Sequence, residues 1–244
     1  MKTWANIYEE VTAITSHEYA GLQFFRGHAS SKWPLLPSLG RLSPMAMSRL
    51  GYDQLFKLEG SLYSRFATRA GRLLERPDDS WATIFAMQHH GLPTRLLDWS
   101  RTFSVALHFA LINPSDEAVV WIMSPYDLNQ EARNSPEVLE ARSLGDYEEL
   151  YFRGDAATEP DVIAIVATAH SSRLSSQHAA FTLHNRLDIP LEELHPKCLH
   201  KIVIPQAAYD EARQFLHLAG ISEFTLFPDL DGLARELRRT YCFE

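Results

Sequence analysis

Gln88-His89-His90-Gly91-Leu92-Pro93-Thr94-Arg95-Leu96-Leu97-Asp98-Trp99-Ser100 joins two helical patterns and places charges inside an apolar run. Before it, Asp78-Asp79-Ser80 offers N-caps for a helix over Trp81 to His90, which Gly91 can close as C′. After it, Phe103, Ala106, Leu107, Ala110 and Leu111 recur at helical spacing, and Val105 and Phe109 make the other face apolar too, so this helix should be central. The intervening Leu92 to Ser100 reads as a strand or tight loop. Leu96-Leu97 has no local reason to be bracketed by Arg95 and Asp98. Burying an unpaired charge costs several kcal/mol, so both are expected to be buried and partnered. A second block, Phe24-Phe25-Arg26-Gly27-His28, repeats the anomaly.

Outward from these blocks, Trp4, Ile7, Tyr8, Val11 and Ile14 form a helical stripe. Leu22 to Phe25 reads as a strand ending in Arg26-Gly27, Ser30 to Pro44 as a long ordered loop, and Tyr52 to Leu74 as a long amphipathic helix. Short apolar strands follow at 118–123, 162–167, 179–183, 200–204 and 224–227. Pro190 opens a short helix, and Tyr209 to Leu218 forms another that Gly220 closes. Asp229 caps a last helix expected to pack through Leu230, Leu233, Ala234 and Leu237. The interleaved elements predict a single α+β domain over 1–244, with a central mixed sheet and surrounding helices. Residues 1–20 are expected to pack as an N-terminal extension, and the polar stretch 129–161 as an insertion.

Composition narrows the function. The chain has 244 residues, 45% hydrophobic and 22% charged, which are globular values. A net charge of −8 argues against a general phosphate-binding surface and weakens a nuclease reading, as does the lack of a clustered Asp/Glu metal site. Two cysteines, Cys198 and Cys242, point to reduced thiols and a cytoplasmic location. No apolar run reaches membrane-spanning length, so no membrane association is expected. There is no Gly-x-Ser-x-Gly elbow and no lysine-bearing phosphate loop.

The remaining polar groups each admit two readings. Arg26 with Gly27 suits a phosphate or diphosphate ligand that approaches the backbone at the glycine, or an ion pair with Asp98 or a glutamate. Asp98 and Trp99 contact a ligand, or Asp98 caps the next helix and Trp99 is core. Arg95 is the stronger candidate for a buried network. His89 and His90 point in different directions on a helix, so no metal is expected there; His28, His90 and His108 are candidates for convergence as donors or base. Arg65, Arg69, Arg72 and Arg76 fall at helical spacing as one stripe, either a solvated face or a docking surface for a protein partner. Arg173 and Gln177 share a face if their segment is helical.

Phe25-Arg26-Gly27 and the ten residues Gly91 to Ser100 resemble the FRG domain, a family named for its Phe-Arg-Gly motif and known mostly from bacterial and phage sequences. Gln177 with Phe181-Thr182, and Phe227 to Leu233, are weaker matches. The resemblance names a family rather than a reaction. The first block also resembles the opening strand of ADP-ribosyltransferases, in which a cationic side chain holds part of NAD. That resemblance implies Thr94 or Ser100 as the second element and Glu223, before a late strand, as the catalytic carboxylate; the serine motif is incomplete and Ile221 stands where a second acid would be.

These likenesses imply an ADP-ribosyltransferase-like fold and an NAD-cleaving or ADP-ribosyl-transferring effector, a toxin or phage-defence protein. Arg26 and Glu223 would be catalytic. Arg26, Gly27, His28, Thr94, Arg95, Asp98, Trp99 and Ser100 would bind NAD, with an unidentified macromolecular acceptor and no metal. The alternative is a non-catalytic module that senses a nucleotide or nucleic acid.

Overall fold

A computed structural model describes residues 2–16, 22–42, 44–74, 79–153, 160–167 and 178–242. Among the described residues seven strands form one mixed sheet: β1 (Phe24–His28), β2 (Leu96–Ser100), β3 (Ala118–Met123), β4 (Leu139–Glu140), β5 (Val162–Val166), β6 (Ala179–His184) and β7 (Leu199–Ile204). Their order is β4-β5-β6-β2-β1-β3-β7. β4 runs parallel to β5 and every other pairing is antiparallel, so the architecture is α+β. β1 runs through Arg26-Gly27 instead of ending there, because its backbone is paired with β3 from Phe24 to His28.

The helices are α1 (Trp4–Thr15), α2 (Pro44–Leu50), α3 (Leu55–Ala70), α4 (Ser80–His89), α5 (Phe103–Ala110), α6 (Pro125–Arg133), α7 (Leu191–Leu194), α8 (Tyr209–Leu218), α9 (Glu223–Leu226) and α10 (Leu230–Tyr241). Side chains alternate across each strand, and the register sorts them into two faces. On the front, Phe25, Val120, Ile122, Ile202 and Ile204 pack under α1, α5 and α8. On the same face, Leu96, Ile163, Ile165, Phe181 and Leu183 pack with Tyr63, Trp81, Phe85, Tyr147 and Tyr151. The back carries Phe24, Leu97, Trp99, Val119 and Trp121 against Leu35, Leu128 and Leu191.

Ile7 and Val11 of α1 are buried in the front core, so the N-terminal helix belongs to the main body. The stretch expected as an insertion likewise feeds the core, through Ala141, Tyr147 and Tyr151, and supplies β4 to the sheet edge.

Local chemistry explains the departures from the expected elements. Glu223 does not precede a strand. Ser222 and Thr225 cap one another, Thr225 N donating to Ser222 Oγ at 3.3 Å and Ser222 N to Thr225 Oγ1 at 2.8 Å, so the apolar run coils into α9. α10 is capped by Asp229 as expected, but Leu230, Ala234 and Leu237 are exposed and Leu233 is half-buried. α3 stops at Ala70, where Gly71 takes φ +29°. The arginine stripe is therefore broken: Arg65 and Arg69 are exposed on α3, Arg72 falls in the turn that follows, and Arg76 lies outside the described residues. Arg173 and Gln177 also lie outside them. Among the described residues no helix is long and apolar enough to cross a membrane.

Candidate functional site

β1 and β2 lie side by side but pair only at Phe25 and Ser100. Beyond that pair the ladder stops, and the guanidinium of Arg26 takes the place of a backbone donor: Nη1 gives a hydrogen bond to the Asp98 carbonyl at 2.6 Å. Over this gap a cleft of about 370 Å³ opens between α4 and α5. Its floor is Phe25, Gly27, Asp98, Ser100, Ala179 and Phe181; its walls include Phe85, Gln88 and His89 from α4 and Val105, Ala106 and Phe109 from α5, with Trp33 at the side. Aromatic walls around a few convergent polar groups are the usual makings of a small-molecule site.

Those polar groups form one chain of contacts. The Thr94 hydroxyl donates to Gln88 Oε1, and Gln88 Nε2 donates to Asp98 Oδ2 at 2.6 Å. Asp98 Oδ2 stands 4.0 Å from Arg26 Nη1, and Arg26 Nε donates to His28 Nε2 at 3.0 Å. Burial pulls the Arg26 guanidinium down to about 10; Asp98 opposes this and the neighbouring Arg41 adds to it. Burial, with Arg26 and Arg41 next to it, pulls His28 down to about 3, so its ring is neutral and accepts from Arg26. The Arg26 side chain is 17% exposed while that of Asp98 is 55% exposed. Asp98 is therefore partnered, as expected, but open to solvent rather than buried. It does not cap α5, whose N-cap is Thr102 with no side-chain bond.

Other expected site residues have different roles. Arg95 is wholly buried on the far side of the loop: its backbone N and Nε each donate to Glu59 at 2.7 Å, and Nη1 donates to Asn185 at 3.0 Å. Its guanidinium lies over the rings of Phe56 and Tyr151. Trp99 is core, giving its Nε1 hydrogen to Thr182 at 3.0 Å, with part of its surface at the cleft. Ser100 Oγ accepts from Thr102 N at 3.0 Å. Gly27 is required by a helix rather than a ligand: a Cβ there would sit 1.9 Å from the Ala106 carbonyl oxygen and 2.6 Å from Ala110 N. α5 thus meets β1 at backbone distance.

Among the described residues lining the cleft, Glu223 is absent. It starts α9, 3.5 Å from His108 Nε2 and 3.3 Å from Arg235 Nε, and borders a separate cavity with His217 and Arg239. Arg26 and Glu223 do not share a cleft, because the last apolar run became a helix and left the sheet. His108 belongs to that second cavity and His90 is exposed at the end of α4, so the three histidines do not converge. No group of three metal-ligating side chains occurs among the described residues.

Sequence reasoning did not single out Gln88, Trp33, Phe85, Phe109 or Glu59. Gln88 had a signal: it is the first residue of the anomalous block, six before Thr94. Glu59 had one too, since it lies four residues after Leu55 and four before Tyr63, on the buried stripe of α3.

Residues 22–118 match the family model of the FRG domain. The match takes in both anomalous blocks, β1, β2, α4 and α5, and hence most of the cleft; the weaker stretches near 177–182 and 227–233 lie beyond it. Searches of curated proteins and of solved structures returned no match.

Proposed function

We propose that the FRG domain carried by this chain binds an anionic nucleotide-type ligand, NAD in particular, in the cleft between α4 and α5, and breaks its nicotinamide–ribose bond. The observation that carries the reading is Arg26. A desolvated guanidinium in the gap between β1 and β2, with Arg41 close by and the Asp98 carboxylate at 4.0 Å, belongs to a residue that lines the aromatic-walled cleft, and it favours an added anion such as a diphosphate that reaches the gap. In this reading the C1′–N bond breaks and its electron pair leaves with nicotinamide. Asp98, the carboxylate among the described residues of the cleft, stabilises the positive ribosyl centre in the role first given to Glu223. A water or a macromolecular nucleophile then adds at C1′ and loses its proton. Consumption of NAD or modification of a macromolecule suits a cytoplasmic toxin or phage-defence effector.

The test incubates the full chain with NAD and reads nicotinamide release and melting temperature on one preparation. NAD should raise the melting temperature by linkage, and Arg26→Ala should abolish the rise. Asp98→Asn should keep the rise and lose turnover by about a hundredfold or more, whereas Glu223→Gln should keep both. Absence of any shift with NAD or ADP-ribose would refute the ligand assignment. A second reading, binding without turnover, draws on the Gln88 amide that already engages the Asp98 carboxylate at 2.6 Å. A melting shift with no nicotinamide released would select it.

A further inference from the structure

α10 is strongly amphipathic, yet its two faces are reversed relative to an ordinary surface helix. The side turned to the body is polar. Gly232 is buried against Phe227, and Arg235 Nε donates to Glu223 at 3.3 Å. Glu236 Oε2 accepts from Phe224 N at 2.8 Å, and Arg239 borders the cavity of His108 and Glu223. Positions 232, 235, 236 and 239 follow the i, i+3, i+4, i+7 rule of a single stripe. The other stripe, 230, 234, 237 and 241, is apolar and faces water: Leu230 is 83% exposed, Leu237 46% and Tyr241 73%, with Ala234 exposed as well. A monomeric helix normally buries that face, and a contiguous exposed apolar patch marks a site of association.

The charges beside the stripe say what fits it. Asp231 and Arg238 are exposed on the same flank, seven residues apart, with their midpoint at Ala234-Arg235 near the centre of the stripe. A twofold axis through that midpoint lays a second α10 antiparallel on the first. Leu233 and Leu237 of the two helices then interdigitate, and Asp231 of each copy meets Arg238 of the other. We propose that α10 is a dimerisation element whose occupant is a second copy of this chain, paired helix to helix about this axis. Self-complementary patches of this kind make closed twofold dimers, the commonest soluble assembly. A helix of twelve residues is about 18 Å long, so the interface is small and the dimer exchanges with monomer.

Sedimentation of the full chain across protein concentrations from about 1 to 500 μM tests this, since small interfaces are weak. A reversible monomer–dimer equilibrium is expected. Leu237→Glu should raise the dissociation constant at least tenfold while leaving the melting curve of the dilute, monomeric protein unchanged. Asp231→Arg should weaken the dimer through repulsion, and Asp231→Arg combined with Arg238→Asp should restore it, a rescue specific to the antiparallel twofold. A chain that is monomeric throughout this range overturns the proposal and assigns the stripe to a different partner. A dimer indifferent to Leu237→Glu, or one that the double charge reversal fails to rescue, overturns it as well.

Discussion

Arg95 and Arg26 both interrupt apolar runs, and their surroundings give them different tasks. Arg95 is paired on two of its three guanidinium nitrogens: Glu59, itself completely buried, takes hydrogen bonds from its backbone and its Nε, Asn185 takes one from Nη1, and Nη2 has no hydrogen-bond partner. Burial alone would lower the Arg95 pKa, but Glu59 and nearby Tyr147 raise it, so the guanidinium stays charged inside the core. Such a pair is costly to break one-sidedly. Glu59→Ala should destabilise the protein by about 3–5 kcal/mol in urea unfolding, whereas replacing Glu59 by Leu and Arg95 by Met together should cost far less. A Glu59→Ala protein within about 1 kcal/mol of wild type would show that the pair contributes nothing, against that expectation. Arg26 is under-compensated by comparison, with a carbonyl, a neutral histidine and a carboxylate at 4.0 Å. That difference makes Arg26 the ligand candidate and Arg95 a structural one.

At the scale of elements, the cleft depends on where α4 stops. His90 is its C-cap, Gly91 takes φ +79°, and Leu92 N reaches back to the Met87 carbonyl at 3.0 Å. This closing turn holds Gln88 between Thr94 and Asp98. Gly91→Ala forces a side chain into the left-handed region and should cost about 1 kcal/mol. Because the strain falls beside Gln88, the variant should also lose ligand-induced stabilisation measured by thermal shift; a variant as stable and as responsive as wild type would separate the turn from the site. α9 and α10 show the limit of pattern reading. An apolar run of four residues suits a strand or a helix equally, and the Ser222–Thr225 capping box decided for the helix. Periodicity identified the apolar stripe of α10 but not which stripe meets the body, since that depends on Glu223 and His108 having already been placed.

Across the whole molecule, the back of the sheet holds histidines whose burial makes stability depend on pH. His28 and His184 are both pulled down to about 3 by burial and by Arg26. In the unfolded chain an unperturbed histidine binds its proton near 6.5, so below that pH the unfolded state takes up protons the folded one refuses. This part of the stability is complete above about pH 6.5 and is lost as pH falls toward 3, by up to about 1.4 kcal/mol per pH unit for each ring. Unfolding free energies should therefore decline between pH 6.5 and 5, and a flat profile there would mean that the rings protonate in the folded state. The sequence by itself determined the helices around the Gly91 block, most strands to within a residue or two, the α+β class, and the two blocks that build the cleft. These follow from periodicity, caps and charges out of place, all of which act over a few residues. Only the tertiary structure decided that Arg95 pairs with Glu59, that Gly27 admits α5, that Asp98 rather than Glu223 faces Arg26, and that α10 turns its apolar side outward. Each of these is a contact between segments distant in the chain, set by sheet order and helix docking, and no local pattern encodes which of two competent partners the fold brings near.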